Sequence, residues 1–116
     1  INMDGVIIIS TPQEIALQDV KRGIRMFDKL KVKILGLIDN MSHFIGDDGK
    51  KYAIFGEGGV KKTADEFKKN FLGEIPIDPE IGKQGDLGSP IVESKPEHEI
   101  SKIYFKFAEK IKSIYL

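Results

Sequence analysis

Apolar residues in this chain fall into two patterns: short continuous β-branched runs, and longer stretches where they recur at helical spacing. Val6-Ile7-Ile8-Ile9 is of the first kind and predicts a strand buried on both faces. In Ser10-Thr11-Pro12-Gln13-Glu14, Thr11 suits a helix N-cap and Pro12 the first helical position. Glu14 follows Thr11 by three, as in a capping box. The helix should reach about Leu30, with Ile15, Val20, Ile24 and Phe27 facing inward. A second buried run, Val32 to Ile38, ends in Asp39-Asn40-Met41-Ser42 and completes a strand–helix–strand unit. Such a unit implies a parallel sheet with a right-handed crossover.

Residues 43–55 change character. His43-Phe44-Ile45, Gly46-Asp47-Asp48-Gly49 and Tyr52-Ala53-Ile54-Phe55 predict a short hairpin turning at the Asp-Gly step. Gly56-Glu57-Gly58-Gly59 breaks the chain. A helix is expected over Val60–Lys69 with Val60, Ala64 and Phe67 inside, then a third strand from Phe71 to Ile77. Asp78-Pro79-Glu80 should cap a short helix or turn. Gly82, Gly85 and Gly88 read as loop, and Pro90-Ile91-Val92 as a short extended piece. The last helix is expected over about Glu97–Ile114, with Ile100, Ile103, Phe107, Ile111 and Ile114 on one face. Alternating buried strands and helices predict an α/β fold, a three-layer parallel sheet.

Composition narrows the chemistry. Lys+Arg and Asp+Glu both number 18, so the net charge is zero, against the basic excess of a dedicated nucleic-acid binder. The lysines at 61–62, 68–69 and 110–112 have acids nearby and read as solvated faces. No apolar run nears the roughly 18 residues of a membrane span, and no secretory signal pattern is present. There is no cysteine, so this chain holds no disulfide, thiol nucleophile or thiolate ligand. His43 reads as a hairpin side chain and His98 as a first-turn residue of the last helix. Asp47 and Asp48 read as a turn, since two adjacent carboxylates alone make a poor cation site. The expectation for metal is therefore none. Met3 lies too deep for a natural start and three strands make a thin parallel sheet, so the chain is expected to be a fragment or processed product.

Glu57-Gly58-Gly59-Val60-Lys61-Lys62-Thr63 superficially resembles a phosphate-binding loop. Lys61 stands where a glycine should let backbone N–H groups close on phosphate, and Glu57 where a lysine should stand. The segment before it is also a poor buried strand. It is read as a glycine-led helix start.

Five segments, in order, carry a resemblance over essentially the whole chain. They are 10–20 (STPQEIALQDV), 35–42 (LGLIDNMS), 54–59 (IFGEGG), 72–78 (LGEIPID) and 85–92 (GDLGSPIV). Together they resemble the Mrp/Nbp35 group of P-loop ATPases, relatives of MinD and ParA. The resemblance implies an ATP-dependent carrier or scaffold for iron–sulfur clusters, a cytoplasmic homodimer binding ATP and Mg²⁺ at the subunit interface. It also implies apo-protein or scaffold partners, with no nucleic acid and no membrane. Residues 1–116 would be the C-terminal part of one P-loop ATPase domain, with the Walker A loop upstream and no catalytic residue in this segment. The family's Cys-x-x-Cys would fall within the 43–55 hairpin, where Gly46-Asp47-Asp48-Gly49 stands.

The resemblance also assigns residues. Asn40 would hydrogen-bond the adenine base, against a plain role as a turn residue satisfying its own backbone. Pro76, Ile77 and Asp78 would pack on the base, compatibly with a strand stop and helix cap. Asp19 and Gln13 would lie near the dimer interface. Otherwise Asp19 is a solvated charge paired with Arg22, and Gln13 an ordinary early helix residue. Two rivals stand beside this reading: a ParA/MinD-like partitioning or positioning ATPase, and a stand-alone α/β interaction domain.

Overall fold

The computed structural model describes residues 3–115. In chain order the elements are β1 (Val6–Ser10), α1 (Glu14–Lys29), β2 (Ile34–Asn40), β3 (Phe44–Ile45), β4 (Lys51–Tyr52), α2 (Gly59–Glu66), β5 (Phe71–Ile75), α3 (Pro79–Asp86), α4 (Ile91–Ser94) and α5 (Glu99–Tyr115). The main sheet is parallel in the order β1-β2-β5, so β2 is central. Val20 and Ile24 of α1 and Val60 and Ala64 of α2 cover one face, over Ile34 and Leu37. Phe107 of α5 covers the other, over Ile38, Leu72 and Ile75. The expected three-layer α/β arrangement is present, and each fully buried Leu or Ile in it stabilises by about 2–3 kcal/mol.

The first helix begins later than its capping signals suggest. Thr11 Oγ1 donates to Gln13 Oε1 at 2.9 Å instead of capping a helix N–H, and Gln13 is the N-cap, without a side-chain capping bond. Pro12 therefore lies outside the helix. Ile15 is 81% exposed rather than inward. Five residues before Val20, it points roughly 140° away at helical pitch. Leu17 takes its place in the core.

β2 runs two residues further than expected, and β5 stops at Ile75, before Pro76. The hairpin forms with Phe44 opposite Tyr52 and Ile45 opposite Lys51, turning at Asp48-Gly49. Its second strand ends at Tyr52, short of Phe55. α2 ends at Glu66 rather than Lys69, because Lys68 takes φ 56°.

Two loop expectations fail. Gly82 and Gly85 lie inside α3, since Asp78 and Pro79 start a helix firmly enough to carry two glycines, each costing about 1 kcal/mol against alanine. Asp78 Oδ1 accepts from Glu80 N at 2.9 Å. Ile91–Ser94 is one helical turn, not an extended piece. The last helix starts after His98, whose Nδ1 accepts from Ile100 N at 3.1 Å, so His98 is a cap and not a first-turn residue. Ile114, expected inside, is half exposed.

Ser101 joins α4 to α5. Fully buried, its Oγ contacts Ile91 O at 3.0 Å and Lys95 O at 2.7 Å. Each carbonyl also accepts a backbone N–H, from Lys95 and His98 respectively, so Ser101→Ala removes one shared hydroxyl donor and is expected to lower the unfolding free energy by about 0.5–1.5 kcal/mol in urea titration. An unshifted midpoint would show that this link contributes nothing.

Candidate functional site

Polar groups converge beyond the carboxyl ends of β2 and β5, the edge where open α/β sheets bind ligands. Asn40 ends β2, in register with Ile75 at the end of β5. The chain then turns at Met41, φ 56°, and Asn40 Oδ1 accepts from Met41 N at 3.0 Å. This is the backbone-satisfying role of a turn asparagine. Among the described residues Asn40 Nδ2 has no acceptor, so the amide keeps a donor to offer.

Ser42 fastens this turn to the end of β5. It is buried, and both its N–H, at 3.1 Å, and its Oγ, at 3.3 Å, point at Ile75 O. Ile77 N donates to His43 O at 2.6 Å. Pro76, Ile77 and Asp78 are thereby held beside the start of the hairpin. Phe44, Ile45, Ile77, Asp78, His98 and Ile103 are among the residues lining an open groove of about 430 Å³. Asp78 also caps α3, and its Oδ2 lies 3.9 Å from His98 Nε2.

A charged cluster sits between the sheet edge and the hairpin. Asp39, only 2% exposed, faces Glu74 in the parallel register. Burial, reinforced by Glu74 and opposed by Lys51, pushes the Asp39 carboxyl up to about 6. Its Oδ1 is buried without a hydrogen-bond partner. Glu74 Oε2 lies 3.6 Å from His43 Nδ1 and 3.5 Å from Lys51 Nζ. Burial, then Lys51, hold His43 below the usual imidazole range, against the pull of Glu74. Sequence reasoning missed Asp39, Ser42 and Glu74. The available signal was an acid inside an otherwise apolar strand.

Asp19 lies elsewhere, toward the outer edge of the sheet. Among the described strands β1 pairs only with β2. Along its free side Ile9, Thr11, Asp19 and Phe27 help line an open groove of about 400 Å³. Asp19 accepts from Arg22 at 2.9 Å, and both are exposed. Gln13 is exposed at the start of α1.

The 57–63 segment opens α2. It follows two exposed strand residues, with Gly58 at φ 73°. A Cβ on Gly59 would stand 2.5 Å from Leu17 Cδ1, so this glycine serves close contact between α2 and α1. Thr63 Oγ1 donates to Gly59 O at 2.9 Å. With Gly59 packed on Leu17 and Lys61 where the loop needs a glycine, this segment does not fit a triphosphate with its Mg²⁺. At the hairpin turn, Asp48 accepts from Lys50 N at 2.9 Å and from Tyr52 OH at 2.5 Å. Among the described residues no group of three His, Cys, Asp or Glu is placed to hold a metal ion. No described helix is long and apolar enough to cross a membrane.

A parallel sheet covered on both faces, with polar groups gathered beyond the strands' carboxyl ends, defines an α/β domain of the doubly wound class. Residues 1–112 match the family model described as ParA: NUBPL iron-transfer P-loop NTPase. The chain belongs to that family. An iron–sulfur cluster carrier protein of Aquifex aeolicus is 39% identical over 115 residues, covering 98% of this chain and 32% of that protein. The chain thus spans about a third of the length of such curated relatives. A nucleotide-binding protein of Archaeoglobus fulgidus, solved in complex with ADP, is 36% identical with a TM-score of 0.69, over 85% of this chain and 40% of that one. The cell division ATPase MinD of Pyrococcus furiosus is 25% identical with a TM-score of 0.70, over 93% of this chain and 42% of that one.

Proposed function

We propose that this chain is the base-recognising part of an ATP-dependent iron–sulfur cluster carrier. The observation that carries the reading is Asn40. Its oxygen is committed to Met41 N, its Nδ2 has no acceptor among the described residues, and it stands in register with Ile75, where the clasped segment begins. An amide donor beside an apolar ledge suits the ring nitrogens and faces of adenine. The A. fulgidus neighbour was solved with ADP, which supports a nucleotide as the kind of ligand.

Phosphate and Mg²⁺ binding belong, in this reading, to a Walker A loop outside this chain. The free side of β1 suits a further strand from the same polypeptide or another. Asp19, on that side, and Gln13, at the start of α1, are proposed to meet the partner subunit of a homodimer. The hairpin occupies the place of the family's cluster-binding segment. The chain has no cysteine, so the reading puts the cluster's thiolates outside this chain. Iron–sulfur apo-proteins are the proposed recipients.

The test is ADP binding followed by NMR and by calorimetry. ADP should shift the Asn40 side-chain amide and the Ile77 backbone amide. Asn40→Ala should weaken binding about 5–10-fold, the worth of one hydrogen bond. Shifts confined to other surfaces, or an unchanged affinity in the variant, would reject the base site.

A further inference from the structure

Asp39 and Asn40 are consecutive on β2, so their side chains leave the sheet on opposite faces. Asp39 shares the face of Leu37, which α1 and α2 cover with Val20, Ile24, Val60 and Ala64, all apolar. Its register neighbours there are Ser10 on β1 and Glu74 on β5. Ser10 Oγ is committed to Thr11 O at 2.8 Å. The charges acting on Asp39 are Glu74 and, from the hairpin, Lys51. Glu74 also approaches both sides of the hairpin, through His43 ahead of β3 and Lys51 on β4.

Two carboxyls therefore face one ammonium. In the structure Lys51 lies beside Glu74, and Asp39 Oδ1 is left buried without a partner. A buried carboxylate in that state is costly and gains by drawing a cation or taking up a proton. Lys51 is on a two-residue exposed strand anchored mainly through Ser42 and His43, so it can shift more readily than the sheet.

We propose that Asp39 is a positioning residue that ties the carboxyl end of β2 to the hairpin by competing with Glu74 for Lys51, so that the protonation of one buried carboxyl sets where the hairpin sits. With Asp39 neutral, Lys51 stays on Glu74. With Asp39 ionised, Lys51 is drawn toward the sheet and the hairpin follows. The proposal stands independently of nucleotide binding and of cluster carriage.

The test is an NMR titration of the full chain from about pH 4 to pH 8, spanning the range of carboxylates and imidazoles. It follows the Asp39 carboxyl carbon and the backbone amides of Gly46, Gly49 and Tyr52. The hairpin amides should move with the midpoint of Asp39 itself. Asp39→Asn should abolish that transition and Asp39→Glu should restore it. Lys51→Met, a change on an exposed side chain, should abolish it without touching the core. His43→Gln should leave it in place, which separates Asp39 from the nearby imidazole. A Lys51→Met chain whose hairpin still follows Asp39, a transition lost in His43→Gln but kept in Asp39→Asn, or hairpin amides that do not move would each overturn the proposal.

Discussion

Replacing Gly73 with alanine is expected to lower the unfolding free energy by about 3–4 kcal/mol, from backbone strain and overpacking together. Gly73 has φ 146°, a conformation that side chains rarely adopt. A Cβ there would also stand 2.8 Å from Cε1 of Phe107, the α5 ring that closes the second core cluster. The strand cannot easily retreat, because it bonds to central β2. The ring cannot either, because it is only 7% exposed. A double-mutant cycle separates the two causes. In a Phe107→Leu background the alanine should cost about 1–2 kcal/mol less, and the remainder is the backbone part. Additive losses would show that the ring yields freely and that strain alone governs the position.

Gly73 also shapes the site. The β2–β5 register slips between Leu37 and Ile38, so Leu37 pairs with Phe71 but Ile38 with Gly73. One extra residue on β5 re-aims everything after it. That shift sets Glu74 opposite Asp39 and Ile75 opposite Asn40. The glycine of the LGEIPID segment thus holds a bulge that sends the acid toward the hairpin and Ile75 into the core. Gly73→Ala should therefore also disturb the contacts of Glu74 with His43 and Lys51, visible as broadened hairpin amides.

How legible the fold was in the sequence follows from where its signals were local. The runs at Val6–Ile9 and Ile34–Ile38 are short and apolar and form the strands expected of them, but β1 is not buried on both faces: it is an edge strand of the described sheet, with Ile7 38% and Ile9 55% exposed. The hairpin was legible from Asp48-Gly49, a step suited to a tight turn. The failures came from competition. Thr11 was a sound cap by type, but Gln13 lies within its reach and took its hydroxyl. Gly82 and Gly85 argue for loop by propensity, yet Asp78 and Pro79 upstream decide the conformation. Ile15 is apolar but lies on the wrong arc of α1 for its neighbours to cover.

The site was legible only in part, for a different reason. Asn40, Pro76, Ile77 and Asp78 sit at ends of elements, where one-dimensional reading works. Asp39, Ser42 and Glu74 acquire meaning only in the parallel register. Ser42 lies 33 residues from the carbonyl it reaches, and the bulge that aligns Asp39 with Glu74 leaves no mark in either strand's periodicity.

Asp39→Asn is expected to stabilise the protein at neutral pH by up to about 2–3 kcal/mol, since each tenfold change in proton affinity is worth roughly 1.4 kcal/mol. The folded Asp39 carboxyl stands at about 6, against 3.8 for an ordinary aspartate. Below about pH 3 both folded and unfolded chains carry the proton, and Asp39 costs nothing. As pH rises toward 6 the unfolded chain releases the proton while the folded chain keeps it, so stability falls across that window and levels off above it. Asparagine has no proton to release, which removes this part of the slope. Urea midpoints of both proteins at about pH 3, 5.5 and 7 give the difference, since titrating groups that do not interact with Asp39 cancel in the comparison. The gap should be near zero at the lowest pH and widen upward. A variant that is less stable at neutral pH would mean that the Asp39 carboxylate is satisfied in the fold. The predicted gain is also why Asp39 reads as a working residue. An uncharged side chain of the same shape would hold this core better, so the acid's use lies in its charge, and the only opposite charge acting on it is carried by the hairpin.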